Sequence, residues 1–376
     1  MPDENAFYFA ARPRAGDAIP VAVWGTGNMG RAAIRSVLAH PHLVLTGLIT
    51  SSATKAGVDA AEIAGLAAPY GVLATTDIDD VLTRVGDGAI AYMASGDIRP
   101  DDAAADVARA LRAGAVVVTP ALYALYDVRS APAPLHEAMS SAARAGGSSL
   151  FVNGIDPGWG NDILPAMVSG LAGTVEQVRC QEIFDYTSYD QPDSVRYLVG
   201  MGEPMDYEPP MVAPGVPSMV WGGQVRLIAR ALGVELDEVR EHLERRPLDA
   251  DVENQMGHFA RGSQGALRFE VQGIVDGEAR IVVEHVTRIT PTCALDWPLA
   301  PDGGDGAHRV VIEGSPRIEV TVEATDEDGG RAAGGNATAA NRLINAIPWL
   351  RAAPPGLYDA LDVPLVPAID KLTRRS

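Results

Sequence analysis

Short apolar runs alternate with amphipathic patterns from residue 20 to about residue 155 of the chain. Five of these runs have the length and composition of buried strands: Val21–Trp24, Leu43–Ile49, Ala89–Met93, Val116–Val118 and Leu150–Val152. Patterns with helical spacing lie between them, for example at Met29–Ala39, Asp101–Ala113 and Leu135–Ala145. Strands that alternate with helices predict an α/β domain with a doubly wound parallel sheet, whose ligands bind beyond the carboxyl ends of the strands.

The pattern changes after about residue 173, where strand signals dominate. We expect strands at Val178–Tyr186, at Leu267–Val275 and Glu278–Thr287 around an Asp276-Gly277 turn, and at His308–Glu313 and Arg317–Ala324. Helices are predicted at Trp221–Leu232, at Leu236–Arg245 and at Asn336–Ala346, the last ending before Pro348. Residues 191–217 and 325–335 are expected to be loops. This part of the chain therefore predicts an α+β domain with a largely antiparallel sheet.

The end of the first strand carries a G-x-G-x-x-G motif that opens directly into a helix. In this position the first glycine allows a tight turn, the second lets the backbone approach a pyrophosphate, and the third lets strand and helix pack closely. The context predicts a Rossmann-type dinucleotide site, whereas a glycine-rich turn without a ligand is the alternative. Expected cofactor contacts are Gly25, Thr26, Gly27, Asn28, Met29 and Gly30, with Ala94, Thr119 and Asn153 at the ends of later strands.

The segment after the second strand bears on the choice of cofactor. An acidic residue there binds the ribose 2′-hydroxyl of NAD, and its replacement by hydroxyl or basic residues suits a 2′-phosphate. This chain has Ser51, Ser52 and Lys55, and no acid before Asp59. The loop favours NADP(H), with NAD(H) still open.

Charge and composition exclude several classes of partner. The chain has 49 acidic and 30 basic side chains and a net charge of −19, a surface that repels nucleic acid and anionic lipid. It contains no apolar stretch long enough for a membrane span, and its first residues do not resemble a signal peptide. Cys180 and Cys293 match no metal-ligand spacing, so we expect no metal site and a cytoplasmic location.

A proton donor or acceptor is needed beside any hydride transfer. Strand alternation places Glu182 on a mostly apolar face, where a carboxyl group has a raised pKa, so Glu182 is the first candidate. Its alternative role is a structural ion pair with an arginine. Tyr123 and Tyr126, in the loop after the fifth strand, and Tyr186 are further candidates. Each of these tyrosines has a pocket wall as its alternative role.

Five residues are candidates for the substrate pocket. The loop from Asn153 to Asn161 contributes Ile155, Pro157 and Trp159, and Tyr189 and His285 lie further along the chain. Counting outward from the Asp276-Gly277 turn places His285 opposite Arg268, on a mixed face that lines the cleft, meets solvent or forms a dimer contact. Apolar side chains between 197 and 221 favour a lipophilic substrate, unless they fill the core or a dimer interface.

Taken together, these motifs resemble the dihydrodipicolinate reductase-like superfamily, in particular the branch with 2,4-diaminopentanoate dehydrogenase and native amine dehydrogenases. The carriers are WGTGNMGR, ATKAGVDAAEIAG, NGIDPGWGNDILP, EIFDYTSYD, RFEVQGIVDG, VVEHVTR and NAIPWLRAAPPGL. The resemblance implies a dinucleotide-binding domain at 20–172 after an extension at 1–19, and a substrate and dimerisation domain at 173–335. It also implies a segment at 336–376 that packs back on the first domain, and a homodimer.

Two departures from the family pattern concern the chemistry. Dihydrodipicolinate reductase has a His-His…Lys signature where this chain has EIFDYTSYD, which argues against that substrate. Amine-forming relatives carry a glutamate just after the fifth strand, where this chain has Leu122 and Tyr123. The resemblance implies NAD(P)H-dependent reductive amination of a ketone, with oxidative deamination as its reverse. A ketone or imine reductase with a tyrosine acid, or a non-catalytic nucleotide sensor, are the alternatives.

Overall fold

The computed structural model describes residues 18–96, 99–187, 191–326 and 330–372. Most of the extension predicted at 1–19, and Tyr189 of the predicted pocket, lie outside these ranges. The chain divides into two compact units. One comprises the chain up to Gly154 together with the part from Asn336 onward, and the other comprises Ile155–Gly335.

Fifteen strands and eight helices are assigned within the described ranges. The strands are β1 (Ile19–Trp24), β2 (Leu43–Ile49), β3 (Ala74–Thr75), β4 (Ala89–Tyr92), β5 (Val116–Thr119), β6 (Ser149–Val152), β7 (Thr174–Asp185), β8 (Glu238–Pro247), β9 (Val252–Asn254), β10 (Gly257–Phe259), β11 (Gln264–Val275), β12 (Glu278–Arg288), β13 (Gly306–Ser315), β14 (Ile318–Val322) and β15 (Gly356–Tyr358). The helices are α1 (Asn28–Leu38), α2 (Ala60–Ile63), α3 (Ile78–Val85), α4 (Pro100–Arg112), α5 (Ala133–Gly146), α6 (Ile163–Ser169), α7 (Val216–Leu232) and α8 (Arg331–Ala352).

The first unit is built on a seven-stranded parallel sheet. Its strand order is β15-β6-β5-β4-β1-β2-β3, which confirms the predicted doubly wound sheet. Both faces are covered: Val21 and Val23 of β1 belong to one apolar core, and Ala22 and Trp24 belong to the other. Strands buried on both faces read as continuous apolar runs, which is why the sequence located them.

The C-terminal part of the chain returns to this sheet, as predicted. Strand β15 pairs with β6 in parallel, and the part of α8 from Asn336 onward lies in the first unit. The predicted helix at Asn336–Ala346 was too short at both ends, because α8 runs from Arg331 to Ala352 through Pro348. Leu343, Ile347 and Leu350 are fully buried on one helical face, and this packing outweighs the hydrogen bond that the proline removes.

The second unit contains a six-stranded mixed sheet in the order β14-β13-β7-β12-β11-β8. All neighbours are antiparallel except β7 and β12, so the predicted, largely antiparallel sheet is confirmed. Strands β9 and β10 form a separate two-stranded sheet. Helices α6 and α7 pack on one face of the six-stranded sheet. None of the helices within the described ranges is long and apolar enough to cross a membrane.

Two predictions in this unit were wrong. Leu236–Arg245 was expected to be helical, yet Glu238–Pro247 is the edge strand β8. Its alternating charges pair across to β11, for example Glu244 with Arg268, and such cross-strand pairs stabilise a charged edge strand. The register of the hairpin was also wrong by one residue, because a bulge between Gly273 and Ile274 places His285 opposite Phe269 instead of Arg268.

Candidate active site

The glycine loop between β1 and α1 has the geometry that its motif predicts at two positions. Gly25 has φ +123°, and a Cβ there would lie 2.8 Å from the backbone nitrogen of Ala94. A Cβ on Gly30 would lie 2.0 Å from the carbonyl oxygen of Gly25. Both positions therefore require glycine, the first for the turn and the second for the close packing of helix on loop.

Gly27 differs from the other two glycines, because a Cβ at this position would meet no atom within 4 Å. Gly27 is the residue that precedes α1, and Gly27 and Asn28 are exposed, with Met29 half-buried behind them. Open space therefore lies beside the N-terminus of α1, which has no side-chain cap and whose first-turn N–H groups, as in any helix, lack an intrahelical partner. These are the features that bind a pyrophosphate, so the residues present fit a dinucleotide.

The segment after β2 is held against the glycine loop. The hydroxyl oxygens of Thr26 and Thr50 lie 3.1 Å apart, and Lys55 Nζ donates to the carbonyl oxygen of Thr26 at 2.8 Å. Ser52 donates its backbone N–H to Thr50 Oγ1, and Ser51 is exposed. Thr50 and Lys55 therefore contact the glycine loop, and Ser51 and Ser52 directly follow Thr50 in the chain.

Asp59, the first acid after β2, is committed to the backbone. Its carboxylate accepts hydrogen bonds from the N–H groups of Ala61, Tyr70 and Gly71. The bond from Tyr70, together with those from Gly71 and Ala61, lowers the pKa of Asp59. This carboxylate is therefore the cap of α2 and the anchor of the following turn, and its oxygens are already engaged.

Thr119 and Asn153 end the neighbouring strands β5 and β6 and are both fully buried. Asn153 donates its N–H to the carbonyl oxygen of Thr119, and its Oδ1 accepts from Arg342 Nε at 3.4 Å. The Arg342 guanidinium also lies over the ring of Phe151. Arg342 was missed by the sequence analysis, because it is distant in the chain and sits on the returning helix α8.

Tyr123 and Tyr126 stack on each other in the loop after β5, with ring centroids 6.2 Å apart. Tyr126 is 1% exposed and packs in the apolar core of the first unit. Its hydroxyl donates to the carbonyl oxygen of Pro120 at 3.2 Å. The geometry of Tyr126 is that of a core side chain with a satisfied hydroxyl, whereas Tyr123 is half-buried at the edge of this core.

Glu182 lies at the centre of the sheet of the second unit, between two histidines. The register pairs Glu182 on β7 with His285 on β12 and with His308 on β13. Nδ1 of His285 lies 2.5 Å from Glu182 Oε2, and Nε2 of His308 lies 3.9 Å from Glu182 Oε1. Three adjacent strands thus bring one carboxylate and two imidazoles together.

Asp156 completes this group, which we call the acid–histidine cluster (Asp156, Glu182, His285 and His308). Asp156 Oδ1 accepts a hydrogen bond of 2.6 Å from Trp221 Nε1 on α7. Ligand atoms of Asp156, Glu182 and His308 all lie within 4.8 Å of one another. Glu182 and His285 were predicted from the sequence, whereas Asp156, which directly precedes the predicted Pro157, and His308, which was assigned only to a strand, were not.

Aromatic rings enclose the acid–histidine cluster. Phe269 stacks on His285 with centroids 5.0 Å apart, and Trp221 packs against both rings. Phe184 meets His308 edge to face. At Gly160 a Cβ would lie 3.3 Å from His308 Cδ2, so this position is too tight for most side chains. The cluster therefore sits in a largely apolar environment.

This environment separates the protonation states of the two acids. Burial, together with the charge of Glu182, raises the pKa of Asp156 well above its usual value. Burial alone would raise the pKa of Glu182, but attraction to His285 and His308 outweighs it and lowers that pKa. Burial also lowers the pKa of His308. The lowered pKa values leave Glu182 a carboxylate and His308 a neutral imidazole at neutral pH, and the raised pKa of Asp156 favours its protonated form.

The remaining predicted pocket residues lie in the loop that contains Asp156 and directly after β7. Ile155 and Gly158 form a short bridge around Pro157, and Trp159 begins a helical turn at Trp159–Asn161. Tyr186 follows β7 directly and donates its backbone N–H to the carbonyl oxygen of Arg288. Of the predicted catalytic and pocket residues, the second unit brings Glu182 and His285 into contact.

Comparisons with known proteins agree with this architecture. Residues 162–376 match the 2,4-diaminopentanoate dehydrogenase C-terminal domain, and residues 19–97 match the dihydrodipicolinate reductase N-terminus. The chain is 63% identical over 358 residues to an amine dehydrogenase of Streptomyces virginiae, spanning 95% of this chain and 99% of that protein. It is 25% identical over 230 residues to 2,4-diaminopentanoate dehydrogenase of Acetoanaerobium sticklandii, spanning 60% of each.

A solved structure shows the same fold. The amine dehydrogenase of Mycobacterium smegmatis superposes with a TM-score of 0.72 at 18% identity, covering 93% of this chain and 97% of that one. The parallel sheet with its glycine loop and the mixed sheet define a dihydrodipicolinate reductase-like oxidoreductase. Within that class, the chain belongs to the amine dehydrogenase family that includes 2,4-diaminopentanoate dehydrogenase.

Proposed function

We propose that this chain catalyses the NAD(P)H-dependent reductive amination of a small ketone, with oxidative deamination of the amine as the reverse reaction. The observation that carries the proposal is the placement of two buried carboxyl groups beside two imidazoles in the acid–histidine cluster, where the pKa of Asp156 is raised and that of Glu182 is lowered. Amination of a ketone must take a proton from the nitrogen donor and deliver protons to the departing oxygen. A donor and an acceptor held side by side are suited to both transfers.

In this proposal the two units have separate tasks. The glycine loop binds the cofactor's pyrophosphate through backbone N–H groups, and a bound reduced nicotinamide supplies the hydride. Glu182 accepts a proton while His285, 2.5 Å away, stabilises the carboxylate and fixes its orientation. Asp156, held by Trp221 Nε1, donates a proton to the substrate oxygen. Tyr123, Tyr186, Ile155, Pro157 and Trp159 remain pocket candidates.

We propose NADP(H) as the preferred cofactor. The support comes from the segment after β2, where Ser51 is exposed and Lys55 borders the glycine loop. The first acid, Asp59, has its oxygens engaged by three backbone N–H groups and does not offer a free carboxylate to a ribose. NAD(H) lacks the 2′-phosphate that these hydroxyl and ammonium groups suit.

The proposal is tested by following NADPH and NADH oxidation over a panel of ketones of increasing chain length, with and without ammonium. Amination predicts that turnover requires ammonium and that an amine forms in equal amount to the oxidised cofactor. An alcohol product at a rate independent of ammonium would instead establish a ketone reductase. Nucleotide binding without turnover on any ketone or amine would indicate a sensor. Light scattering of the same sample tests the homodimer that the family resemblance implies.

A further inference from the structure

The acid–histidine cluster can hold a small cation as well as transfer protons. We propose that Asp156, Glu182 and His308 bind the ammonium ion that donates nitrogen in the reaction. This inference rests on the proposed amination, and names the binding site of its second substrate. Its basis is the placement of three acceptor groups around one point, together with a buried imidazole nitrogen that has no partner.

The spacing of the three groups suits a small tetrahedral donor. One ligand atom from each of Asp156, Glu182 and His308 lies within 4.8 Å of the others. Two acceptors bound to one ammonium nitrogen at ordinary hydrogen-bond lengths lie about 4.7 Å apart, because its N–H bonds point to the corners of a tetrahedron. An ammonium ion between the three groups can therefore donate to each of them. Its fourth N–H points elsewhere.

A second observation that points to a bound ligand is the environment of His308. Its side chain is 6% exposed, and among the described residues Nε2 has no hydrogen-bond partner. The nearest carboxylate oxygen, Glu182 Oε1, is 3.9 Å away, which is too far for a direct bond. A buried polar atom without a partner costs free energy, and a donor placed between His308 and Glu182 would satisfy it. Because His308 is neutral, Nε2 is able to accept.

The charge and walls of the site favour a monovalent cation. Glu182 carries a negative charge, of which His285 faces only one oxygen, leaving Oε1 on the side of His308. Trp221 donates its indole N–H to Asp156 and Phe184 packs against His308, so the walls of the site are largely aromatic. Asp156, whose pKa is raised by burial and by the charge of Glu182, adds a further acceptor to the site.

The site also provides the first chemical step. The bound ammonium ion transfers one N–H proton to Glu182 Oε1, which leaves neutral ammonia and a protonated carboxyl group. The nitrogen lone pair freed by this transfer then forms the bond to the carbonyl carbon, and the C=O electron pair moves to oxygen. The step consumes no oxidant or reductant. Asp156 and His308 act here as binding residues that hold the nitrogen.

The test compares the KM for ammonium with the KM for ketone in four variants. Asp156→Ala and His308→Phe each remove an acceptor and are expected to raise the KM for ammonium at least tenfold, and His308→Phe is expected to change the KM for ketone less than twofold. His308→Gln should recover part of the loss, because its amide oxygen is a hydrogen-bond acceptor. Glu319→Gln removes an exposed carboxylate on β14, paired with Arg317, and serves as the control with both constants unchanged.

A second measurement does not depend on turnover. Ammonium chloride is expected to raise the melting temperature of the wild-type protein more than equal sodium chloride does, and this difference should vanish in His308→Phe. Melting curves in sodium chloride also verify that each variant folds.

The outcomes separate the two proposals. If the wild-type enzyme forms no amine at any ammonium concentration, the proposed function fails whatever the variants do. If the wild type aminates and the variants keep its KM for ammonium, the function stands and the ammonium site is wrong. Loss of amination on treatment with a chelator, with recovery on adding Zn²⁺, would instead assign the three groups to a metal ion and overturn the ammonium site.

Discussion

The glycine loop of the first unit and the acid–histidine cluster of the second unit recognise charge by different means. The loop consists of six consecutive residues and offers backbone N–H groups, which do not titrate. The cluster draws Asp156, Glu182, His285 and His308 from four separate segments, and its side chains change charge with pH. We therefore expect pyrophosphate binding at the glycine loop to be insensitive to pH and to depend on steric fit. Catalysis, in contrast, should depend on pH and on the individual side chains of the cluster.

The largest expected effect comes from removing the charge of Glu182. Glu182→Gln keeps the shape of the side chain but cannot accept a proton, so kcat for amination should fall by about 100- to 10,000-fold. Cofactor affinity, measured by fluorescence titration with NADPH, should change less than twofold, because the glycine loop lies in the other unit.

The exposed Glu313→Gln on β13 is the matched control, since Glu313 pairs with Arg317 at the surface. It should retain full activity and affinity. If Glu182→Gln keeps more than a tenth of the wild-type kcat, then Glu182 is not the proton acceptor and the proposed division of tasks is wrong.

The next largest effects are expected in the glycine loop. There, Gly27 and Gly30 distinguish a glycine needed for cofactor binding from a glycine needed for folding. Gly27→Ala places a methyl group in open space, so we expect a stability change below about 1 kcal/mol and a loss of NADPH affinity of at least tenfold. Gly30→Ala drives its Cβ into the Gly25 carbonyl oxygen and should cost about 1–3 kcal/mol of unfolding free energy.

Urea unfolding without cofactor and fluorescence titration with NADPH measure the two quantities on the same samples. Equal losses of stability in both variants would show that Gly27 is a structural glycine. Unchanged NADPH affinity in Gly27→Ala would show that the pyrophosphate does not bind next to Gly27.

The same contrast explains which parts of the fold could be predicted. The strands of the first unit are buried on both faces and carry local apolar runs, so β1, β2, β4, β5 and β6 followed from the sequence. Strand β8 did not, because most of its residues are polar or charged and its two aliphatic residues, Val239 and Leu243, are too few to reveal a strand period; its order comes from pairing with β11. The bulge at Gly273 similarly depends on tertiary pairing, and it moved His285 to a different face.

The candidate site divides in the same way. The glycine loop is a contiguous motif whose physical requirements are local, so its six residues could be named in advance. Glu182 could be named because strand alternation places it on an apolar face. Asp156 and His308 could not, since only the register of β13 with β7 and the hydrogen bond from Trp221 bring them to Glu182.

A smaller effect is expected on the preference for NADPH over NADH when Ser51 is substituted. Ser51→Asp adds a carboxylate to the exposed position after β2, where it can accept from a ribose 2′-hydroxyl and repels a 2′-phosphate. We expect the ratio of kcat/KM for NADPH to that for NADH to fall about tenfold or more, the equivalent of 1.4 kcal/mol. Ser51→Asn, which is similar in shape but neutral, is the control. If Ser51→Asp leaves the ratio of kcat/KM for NADPH to that for NADH unchanged, this loop does not bind the 2′ group of the cofactor.

Stability against pH distinguishes the two acids of the cluster. Because the folded pKa of Asp156 is raised, its contribution is fully present below the unfolded value of 3.8 and is lost as pH rises towards the folded pKa. Asp156→Asn lacks this loss, so the variant should gain stability relative to wild type by about 1.4 kcal/mol for each unit by which the pKa is raised. Urea unfolding between pH 4 and 8 measures the difference. A difference that does not change with pH would show that Asp156 ionises normally.

The smallest effect on kcat is expected at Tyr126. Its hydroxyl would be essential if the loop after β5 supplied the catalytic acid, and dispensable if the acid–histidine cluster does. If the loop after β5 supplied the acid, Tyr126→Phe would reduce kcat by a factor of about 100 or more. The hydroxyl instead donates to the Pro120 carbonyl oxygen within the core, so we expect a loss of about 1 kcal/mol of stability and a kcat within threefold of wild type. Tyr123→Phe in parallel tests the half-buried neighbour, and a large loss of kcat there would move the proton donor from the acid–histidine cluster to the first unit.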